Sequence, residues 1–202
     1  MARIREFGWR RLHSLTGLFP VGLFLIVHFS VNYYSTKGVE AYNKAASFMG
    51  NLPFLLFLEF VLIYIPLVFH AVYGVYIAFT AKHNVRRFSL FRNWMFLLQR
   101  ITGLFLIVFI SWHVWETRIQ KALGAEVNFD MMANILDNPW MLAFYIVGVV
   151  SSVFHLTNGI WSFCVSWGIT VSPRSQQIMT YVTMAFFVVM SYVGIRALLG
   201  FV

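Results

Sequence analysis

The chain has 202 residues, of which 60% are hydrophobic and only 11% are charged. A soluble globular domain carries about 25% charged residues, so this composition excludes a soluble protein and predicts an integral membrane protein. The formal net charge of +8 does not indicate nucleic-acid binding, because the positions of the basic residues are explained by membrane topology. Cys164 is the only cysteine, which excludes an intramolecular disulfide and argues against a cysteine-ligated cluster.

Five apolar stretches are each long enough to cross a bilayer, which needs about 20 helical residues. They cover approximately 13–34, 54–80, 94–115, 140–167 and 178–200. We therefore predict an all-α integral membrane protein, a single domain over 1–202, whose first four transmembrane helices form an up-down-up-down bundle. The first stretch follows basic residues, as in a signal peptide, but it is too long and lacks a small-residue cleavage site, so we expect it to be retained. Pro20 and Pro66 lie inside spans one and two and predict kinks.

The basic residues concentrate at one end of the predicted helices. They precede span one, fill the connection after span two and precede span five: Arg3, Arg5, Arg10, Arg11, Lys82, Arg86, Arg87, Arg92 and Arg174. The opposite connections mix basic with acidic residues, so the positive-inside rule places the N-terminus in the cytoplasm and the C-terminus outside. Two interpretations of the basic end stay open. It sets topology and touches anionic lipid, or it also docks a protein.

The outer connections differ in their expected structure. Ser35–Asn51 is predicted to be a polar loop, whereas the longest connection, Thr117–Asn138, contains a predicted short surface helix at Phe129–Leu136. Asp137-Asn138-Pro139 and Ser172-Pro173 combine a capping side chain with a proline, which predicts the starts of spans four and five.

Histidines are placed unusually within the predicted helices. Four of the six lie inside different spans, at separations of 42, 43 and 42 residues: His28, His70, His113 and His155. A single intramembrane histidine is often a hydrogen-bonded structural residue, but one in each of four helices points to a shared function. His13, beside the arginines, and His83, in the basic connection, are expected to be solvated and receive no ligand role.

Depth in the membrane decides how the four histidines pair. At a rise of about 1.5 Å per residue, His28 and His113 fall in the outer half of their helices, and His70 and His155 fall in the inner half. Spans one and three are diagonal neighbours in such a bundle, as are spans two and four. Each diagonal therefore brings two histidines to one depth. Two pairs at two depths cannot form one tetrahedral metal site, but they suit two bis-histidine haems stacked through the membrane.

Small residues on the histidine faces are predicted to leave room for the haems. They are Gly17, Gly74, Thr102 and Gly159. Two of them belong to an internal repeat, because Thr16-Gly17-Leu-Phe recurs at 102–105. The other two end a second repeated pattern, His-x-x-x-Gly, at 70–74 and 155–159. Spans one plus two thus resemble spans three plus four, which favours a duplicated helix pair.

Glu59 is a second ionisable residue inside span two. It lies eleven residues before His70, so the two side chains are only about 20° apart around the helix and roughly 16 Å apart along it. Glu59 is therefore expected to face the bundle interior at the depth of the outer histidine pair. Burial would favour a protonated carboxyl that can exchange protons. The competing interpretation is a carboxyl hydrogen-bonded to another helix or to a haem propionate.

These features resemble the di-haem cytochrome b subunit of succinate:menaquinone oxidoreductase (succinate dehydrogenase, complex II), of the single-chain five-helix type found in Gram-positive bacteria. The resemblance covers essentially the whole chain and rests on Arg10-Arg11-Leu-His-Ser-Leu, His28, the run from His70 to Lys82, the run from Ser111 to Arg118, and His155 with Asn158-Gly159. The four histidines match the family's axial ligands. The resemblance therefore implies two haem b groups, with His28 and His113 on the outer iron and His70 and His155 on the inner iron.

The resemblance also implies a role in a bacterial cell membrane, where the chain anchors a flavoprotein and an iron–sulfur subunit on the cytoplasmic face. Electrons from succinate would pass through the haems to menaquinone. The chain would not oxidise succinate itself. From the residues, we expect it to contribute to the quinone-reduction site, through Glu59 near the outer haem or, at a competing inner site, through Arg100 with Thr102 and His13. Two alternatives remain open: another di-haem b carrier, such as an ascorbate- or hydrogenase-linked cytochrome, and a proton-coupled transporter with a histidine relay.

Overall fold

The computed structural model describes residues 2–82 and 84–202, with side chains from residue 6 onward, so His83 and the side chains of Arg3 and Arg5 lie outside the description. Every regular secondary-structure element within these ranges is a helix. Five helical segments are long and apolar enough to cross a membrane: Glu6–Lys37, Leu55–Thr80, Phe91–Ala122, Pro139–Ser166 and Pro173–Leu199. We call them spans one to five. They confirm the predicted all-α membrane fold.

Span one breaks at the predicted proline. Its first helix, Ala2–Leu18, is separated by a two-residue turn from the second, Val21–Asn32, and a 3-10 turn at Tyr33–Lys37 follows. Pro20 occupies the turn and has no N–H to donate to the preceding helix, so the regular bonding pattern cannot pass through it.

Span two is irregular on the outer side of its proline. A short helix at Leu55–Glu59 is followed by a π-helical turn at Phe60–Tyr64 and by a regular helix at Ile65–Thr80. Pro66 removes the N–H that would have bonded to a carbonyl of the preceding turn. The widened turn lies where that bond is missing, which accounts for the irregularity expected at this position.

Span three extends further than the sequence predicted. A regular helix at Phe91–Val114 continues through a π-helical turn at Trp115–Ile119 and a last turn at Gln120–Ala122. The predicted end at residue 115 was therefore wrong. Charged residues at 116 and 118 suggested a loop, but in the structure both side chains are bonded to neighbouring helices, which removes the penalty for keeping them helical.

The segment predicted as a polar outer loop also contains a helix, Val39–Gly50, which we call the outer helix. Its Tyr42 side chain is buried and only 5% exposed. It packs against Phe201 with ring centroids 4.8 Å apart. Nearby, the Ser35 hydroxyl donates to the Ala197 carbonyl at 2.7 Å. The prediction failed because the apolar partners of this segment come from the far end of the chain.

The helix starts predicted from capping residues are confirmed. The surface helix spans Phe129–Leu136, and span four begins at Pro139 with the Asn138 side chain accepting from the Trp140 N–H. Span five begins at Pro173, as the Ser-Pro pair predicted, with Ser172 in a capping box, although the apolar stretch itself begins only at 178. Hydropathy did not predict this start because the first turn of the helix is polar, whereas the Ser-Pro pair did predict it.

Helix packing closes the first four spans into a ring. Spans one and two, two and three, three and four, and four and one all pack against each other, and span five lies against span four and the outer half of span one. This arrangement puts spans one and three on one diagonal and spans two and four on the other, as an up-down-up-down bundle requires. We use "inner" for the end that holds Arg11 and Trp167 and "outer" for the opposite end, following the predicted orientation.

Candidate functional site

The outer half of the bundle brings together the histidines of spans one and three. The ring centroids of His28 and His113 lie 5.8 Å apart, with the ring planes at 77° to each other. His28 is on the helix that follows the proline break, and His113 is on the last regular turn of span three before its π-helical turn. These two residues form the pair expected from their depth.

The inner half brings together the histidines of spans two and four. The centroids of His70 and His155 are 6.0 Å apart and the planes meet at 85°. A metal bonded to one nitrogen of each opposed ring, at the usual metal–imidazole distance of about 2 Å, would hold the ring centroids about 6 Å apart. Both pairs therefore have the spacing of two imidazoles that share one metal ion.

The number of protein ligands narrows the kind of metal site. Among the residues that the structure describes, no group of three or more histidine, cysteine, aspartate or glutamate side chains could hold a metal ion. A structural zinc site needs four such ligands. Two imidazoles on opposite sides of an iron suffice when a porphyrin supplies the remaining ligands. The pairs thus fit haem better than a free metal ion.

Hydrogen bonds assign the ring nitrogens at the inner pair. The Nδ1 atom of His70 lies 2.9 Å from the His13 carbonyl oxygen, which can only accept. The Nδ1 atom of His155 lies 3.3 Å from the Thr102 hydroxyl, whose proton is donated to the Leu98 carbonyl at 2.8 Å. Both Nδ1 atoms are therefore the protonated nitrogens, which leaves Nε2 of each ring free to bind a metal.

The outer pair is held differently. The Nδ1 atom of His113 lies 3.4 Å from the Tyr145 hydroxyl, and that hydroxyl donates to the Glu116 carboxylate at 2.9 Å. The hydroxyl oxygen can therefore only accept from His113, so Nε2 is again the free nitrogen. For His28, the contact is made by Nε2 instead, which lies 3.4 Å from the side-chain amide nitrogen of Asn32. Three of the four histidines thus follow the second-shell pattern typical of metal ligands.

Two glycines allow the inner histidines to approach the neighbouring helices. A Cβ atom on Gly17 would collide with the His70 ring, approaching its Nδ1 atom to 2.6 Å. A Cβ on Gly103 would lie 3.0 Å from Cε1 of His155. Gly17 was predicted to lie at the inner site, whereas Gly103 was missed. The repeated Thr-Gly-Leu-Phe pattern could have identified it, because the two glycines take equivalent positions against equivalent histidines.

Two other predicted small residues, Gly74 and Gly159, lie one step further from the paired rings. A Cβ on Gly74 would come within 3.2 Å of Nε2 of His13, and a Cβ on Gly159 would make an ordinary 3.6 Å contact with Gln99. Thr102, predicted as a packing residue, also bonds to His155. Haem contacts of these three residues stay predictions.

His13 was expected to be solvated at the inner surface, and that expectation was wrong. Its ring stacks on the His70 ring at a centroid distance of 4.0 Å with planes 9° apart, and its Nε2 atom is buried without a partner among the described residues. The sequence placed His13 by its arginine neighbours, whereas packing of span one against span two draws it inside.

Glu59 lies at the outer end and forms an ion pair with Arg118. The Arg118 Nη2 atom is 2.8 Å from Oε2 of Glu59, and its Nε atom is 3.1 Å from Oε1. The exposed fractions of the two side chains are 15% for Glu59 and 28% for Arg118. This geometry matches the competing interpretation, a carboxyl bonded to another helix. Arg118 was missed as a partner because it was assigned to a loop.

Arg100, the alternative quinone-site residue, lies in the inner half of span three. Its guanidinium lies over the Phe96 ring at 3.2 Å from the centroid and donates to the Phe96 carbonyl at 2.5 Å. Its Nε atom is buried and has no acceptor within the described part of the chain. Arg100 could therefore donate a hydrogen bond to an added ligand at the inner end.

The fold and the site together define a class, a multi-pass helical-bundle membrane protein with two stacked intramembrane histidine pairs. Comparison with known proteins gives the family. Residues 84–194 match the family model described as succinate dehydrogenase/fumarate reductase transmembrane subunit. The chain belongs to this family, which confirms the resemblance found in the sequence.

Individual relatives agree with the family match. The chain is 61% identical over 202 residues, all of both chains, to the succinate dehydrogenase cytochrome b558 subunit of Bacillus subtilis (strain 168). It is 38% identical over 63 residues to the succinate dehydrogenase hydrophobic membrane anchor subunit of Thermoplasma acidophilum, which covers 31% of this chain and 50% of that protein.

Proposed function

We propose that this chain is the membrane anchor and electron-transfer subunit of a succinate dehydrogenase and that it binds two b-type haems. His28 and His113 would ligate the outer iron, and His70 and His155 the inner iron. The observation that carries the proposal is the presence of two imidazole pairs at 5.8 and 6.0 Å, in which three rings have their Nδ1 atoms bonded to acceptors and Nε2 available.

Haem iron supplies reversible one-electron transfer, and the residues of this chain determine where that chemistry occurs. The two diagonals of the bundle hold the histidine pairs at two depths, so the sites form a path along the bundle axis. Thr102, the His13 carbonyl and Tyr145 keep a proton on Nδ1 of their histidine partners and thereby orient the free nitrogens.

We propose that a flavoprotein and an iron–sulfur subunit bind at the inner, basic end, and that this end faces the cytoplasm of a bacterial cell, with the C-terminus outside. Exposed Arg86 and Arg87 support a docking role for the connection between spans two and three. Arg92 is less available, because its guanidinium lies over the Trp161 ring at 3.6 Å and donates to Thr180. Electrons would then enter through the inner site.

We further propose that menaquinone is reduced near the outer site, with Glu59 in the proton path. Reduction of a quinone consumes two protons, and Glu59 is a carboxylate at the outer end. Its partner, Arg118, belongs to the π-helical turn of span three. Single π-helical turns are frequent at functional sites. The alternative is a quinone site at the inner end, where Arg100 carries a buried N–H that has no acceptor among the described residues.

The test is the absorption spectrum of the purified protein together with its haem-to-chain ratio and its partners. We expect two haem b groups per chain and co-purification of a flavoprotein and an iron–sulfur protein. Absence of haem would favour a histidine-relay transporter. Two haems in a preparation that never contains a flavoprotein would favour another di-haem carrier.

A further inference from the structure

A chain of three side chains reaches one histidine of the outer pair. Glu116 accepts a hydrogen bond from Tyr145 at 2.9 Å, and the Tyr145 hydroxyl lies 3.4 Å from Nδ1 of His113. Tyr145 is only 2% exposed, and its ring packs edge-on against the His113 ring at a centroid distance of 5.8 Å. The tyrosine is thus positioned by spans three and four and cannot exchange this contact for water.

The carboxylate of Glu116 is free to polarise the tyrosine. The neighbouring Arg118 is paired with Glu59 at 2.8 Å, so it does not neutralise Glu116. A carboxylate that accepts from a hydroxyl makes the hydroxyl oxygen a stronger acceptor. The His113 N–H donated to that oxygen is then held more strongly, and the imidazole becomes a stronger electron donor through its other nitrogen.

Among the residues that the structure describes, the inner pair has no equivalent charge at this position. His70 donates to a backbone carbonyl and His155 to the hydroxyl of Thr102, whose own proton goes to the neutral Leu98 carbonyl. Both acceptors are uncharged. The second shells of the two sites therefore differ by one negative charge, two hydrogen bonds away from a histidine ring.

We infer that Tyr145 and Glu116 are positioning residues that strengthen the bond between His113 and the outer iron and thereby lower the reduction potential of that haem. A more strongly donating imidazole stabilises ferric over ferrous iron, and second-shell hydrogen bonding is one of the means by which proteins set haem potentials. This inference rests on the proposed two-haem function. It concerns the residues around one ligand and not the presence of the haems.

The experiment is a potentiometric titration of the isolated complex in two variants. The oxidation state of each haem is monitored by visible and low-spin EPR spectroscopy. Tyr145→Phe removes the hydroxyl and keeps the ring. Glu116→Gln keeps an acceptor for Tyr145 and removes the charge. In each variant we expect the ratio of oxidised to reduced outer haem at a fixed potential to fall by about three- to tenfold, where tenfold corresponds to about 59 mV for a one-electron couple. The inner haem should be unchanged.

Two control variants separate the relay from general effects of substitution. Tyr42→Phe removes the hydroxyl of another tyrosine that is buried at the outer end and packs against Phe201, and it should leave both potentials unchanged. Thr102→Val removes the acceptor of His155 and should change only the inner haem. The outer haem is identified as the one lost in a His113→Ala variant.

A parent complex with two haems whose outer potential is unaffected by both Tyr145→Phe and Glu116→Gln overturns the inference. An equal shift in Tyr42→Phe overturns it as well, because the effect would then not depend on His113. A response to Tyr145→Phe without a response to Glu116→Gln overturns the role of the carboxylate. Absence of haem from the parent protein is a different result, because it overturns the proposed function itself.

Discussion

The inner and outer histidine pairs have nearly the same internal geometry but are held by different surroundings. At the inner pair, His70 and His155 lie against glycines of the two Thr-Gly-Leu-Phe repeats, and their Nδ1 atoms meet neutral oxygens. At the outer pair, the helices of spans two and three are π-helical nearby. The neutral oxygens of the inner pair are replaced there by charged groups. These are Glu116, which bonds to Tyr145, and the ion pair of Glu59 with Arg118.

This difference is consistent with the two roles that we propose for the ends. Transfer of an electron between fixed sites needs ligands held in place and no coupled proton transfer, and at the inner pair closely packed glycines and neutral acceptors surround the histidines. Quinone chemistry needs exchangeable protons and charged groups, which are costly in a bilayer and are tolerated only when bonded to partners. The outer end contains such bonded charges, and this contrast is the reason we place the quinone there.

The largest effect is expected from the histidines themselves. His113→Ala and His28→Ala should each remove the same one of the two haems, because a haem that loses one of its two protein ligands is no longer held in this geometry. His70→Ala and His155→Ala should remove the other. Redox titration of the visible spectrum distinguishes the two haems. If His28 and His70 variants lost the same haem, the comparison between inner and outer pairs would have no basis.

A smaller substitution tests whether the repeated glycines belong to the inner pair alone. In Gly17→Ala, the added Cβ would collide with the His70 ring, so we expect reduced occupancy of the inner haem with the outer haem retained. Gly103→Ala should have a weaker effect, since the corresponding contact with His155 is 3.0 Å. Haem content per chain and the two midpoint potentials are the measurements.

Gly8→Ala is the matched control for these glycine variants. Gly8 lies in the same helix as Gly17, and a Cβ atom there would meet nothing within 4 Å. It should retain both haems. Loss of the outer haem in Gly17→Ala would contradict the assignment of this glycine to the inner site.

Most of the fold was predictable because hydropathy, prolines and caps are local signals. The five spans, the break at Pro20 and the helix starts at Pro139 and Pro173 all followed from them. The outer helix Val39–Gly50 did not, since its buried Tyr42 packs against Phe201 from the other end of the chain. The end of span three was missed for a similar reason. Glu116 and Arg118 look like loop residues until their partners on spans four and two are known.

The site was predictable to the same extent. Helix depth placed His28 with His113 and His70 with His155, because depth depends only on residue counts from the helix ends. The acceptors of the Nδ1 atoms could not be predicted, since a backbone carbonyl at His13 or a hydroxyl at Tyr145 reaches a histidine only through helix packing. Gly103 was within reach of the sequence through the repeat but was not identified as a site residue.

The last and smallest effect concerns Glu59, and it tests whether the charged outer end serves quinone reduction. Glu59→Gln keeps the size of the side chain and leaves it able to form hydrogen bonds, but it removes the ion pair with Arg118 and a carboxylate that can take up and release a proton. We expect both haems to remain bound, while succinate-dependent quinone reduction slows severalfold or more. Steady-state quinone reduction and haem content are measured on the same preparation.

Three further variants determine what a slower rate means. Arg118→Gln removes the same ion pair but keeps the carboxyl, so it should retain more quinone-reductase activity than Glu59→Gln if the carboxyl conducts protons. An equal loss of activity in the two variants would indicate that Glu59 acts only through its structural ion pair. Glu6→Gln removes an exposed pair with Arg10 that has the same 2.8 Å length and should have no effect, because exposed pairs contribute little. Normal turnover in Glu59→Gln, together with a large loss in Arg100→Leu with both haems intact, would move the quinone to the inner end, where the buried Arg100 N–H would bind it.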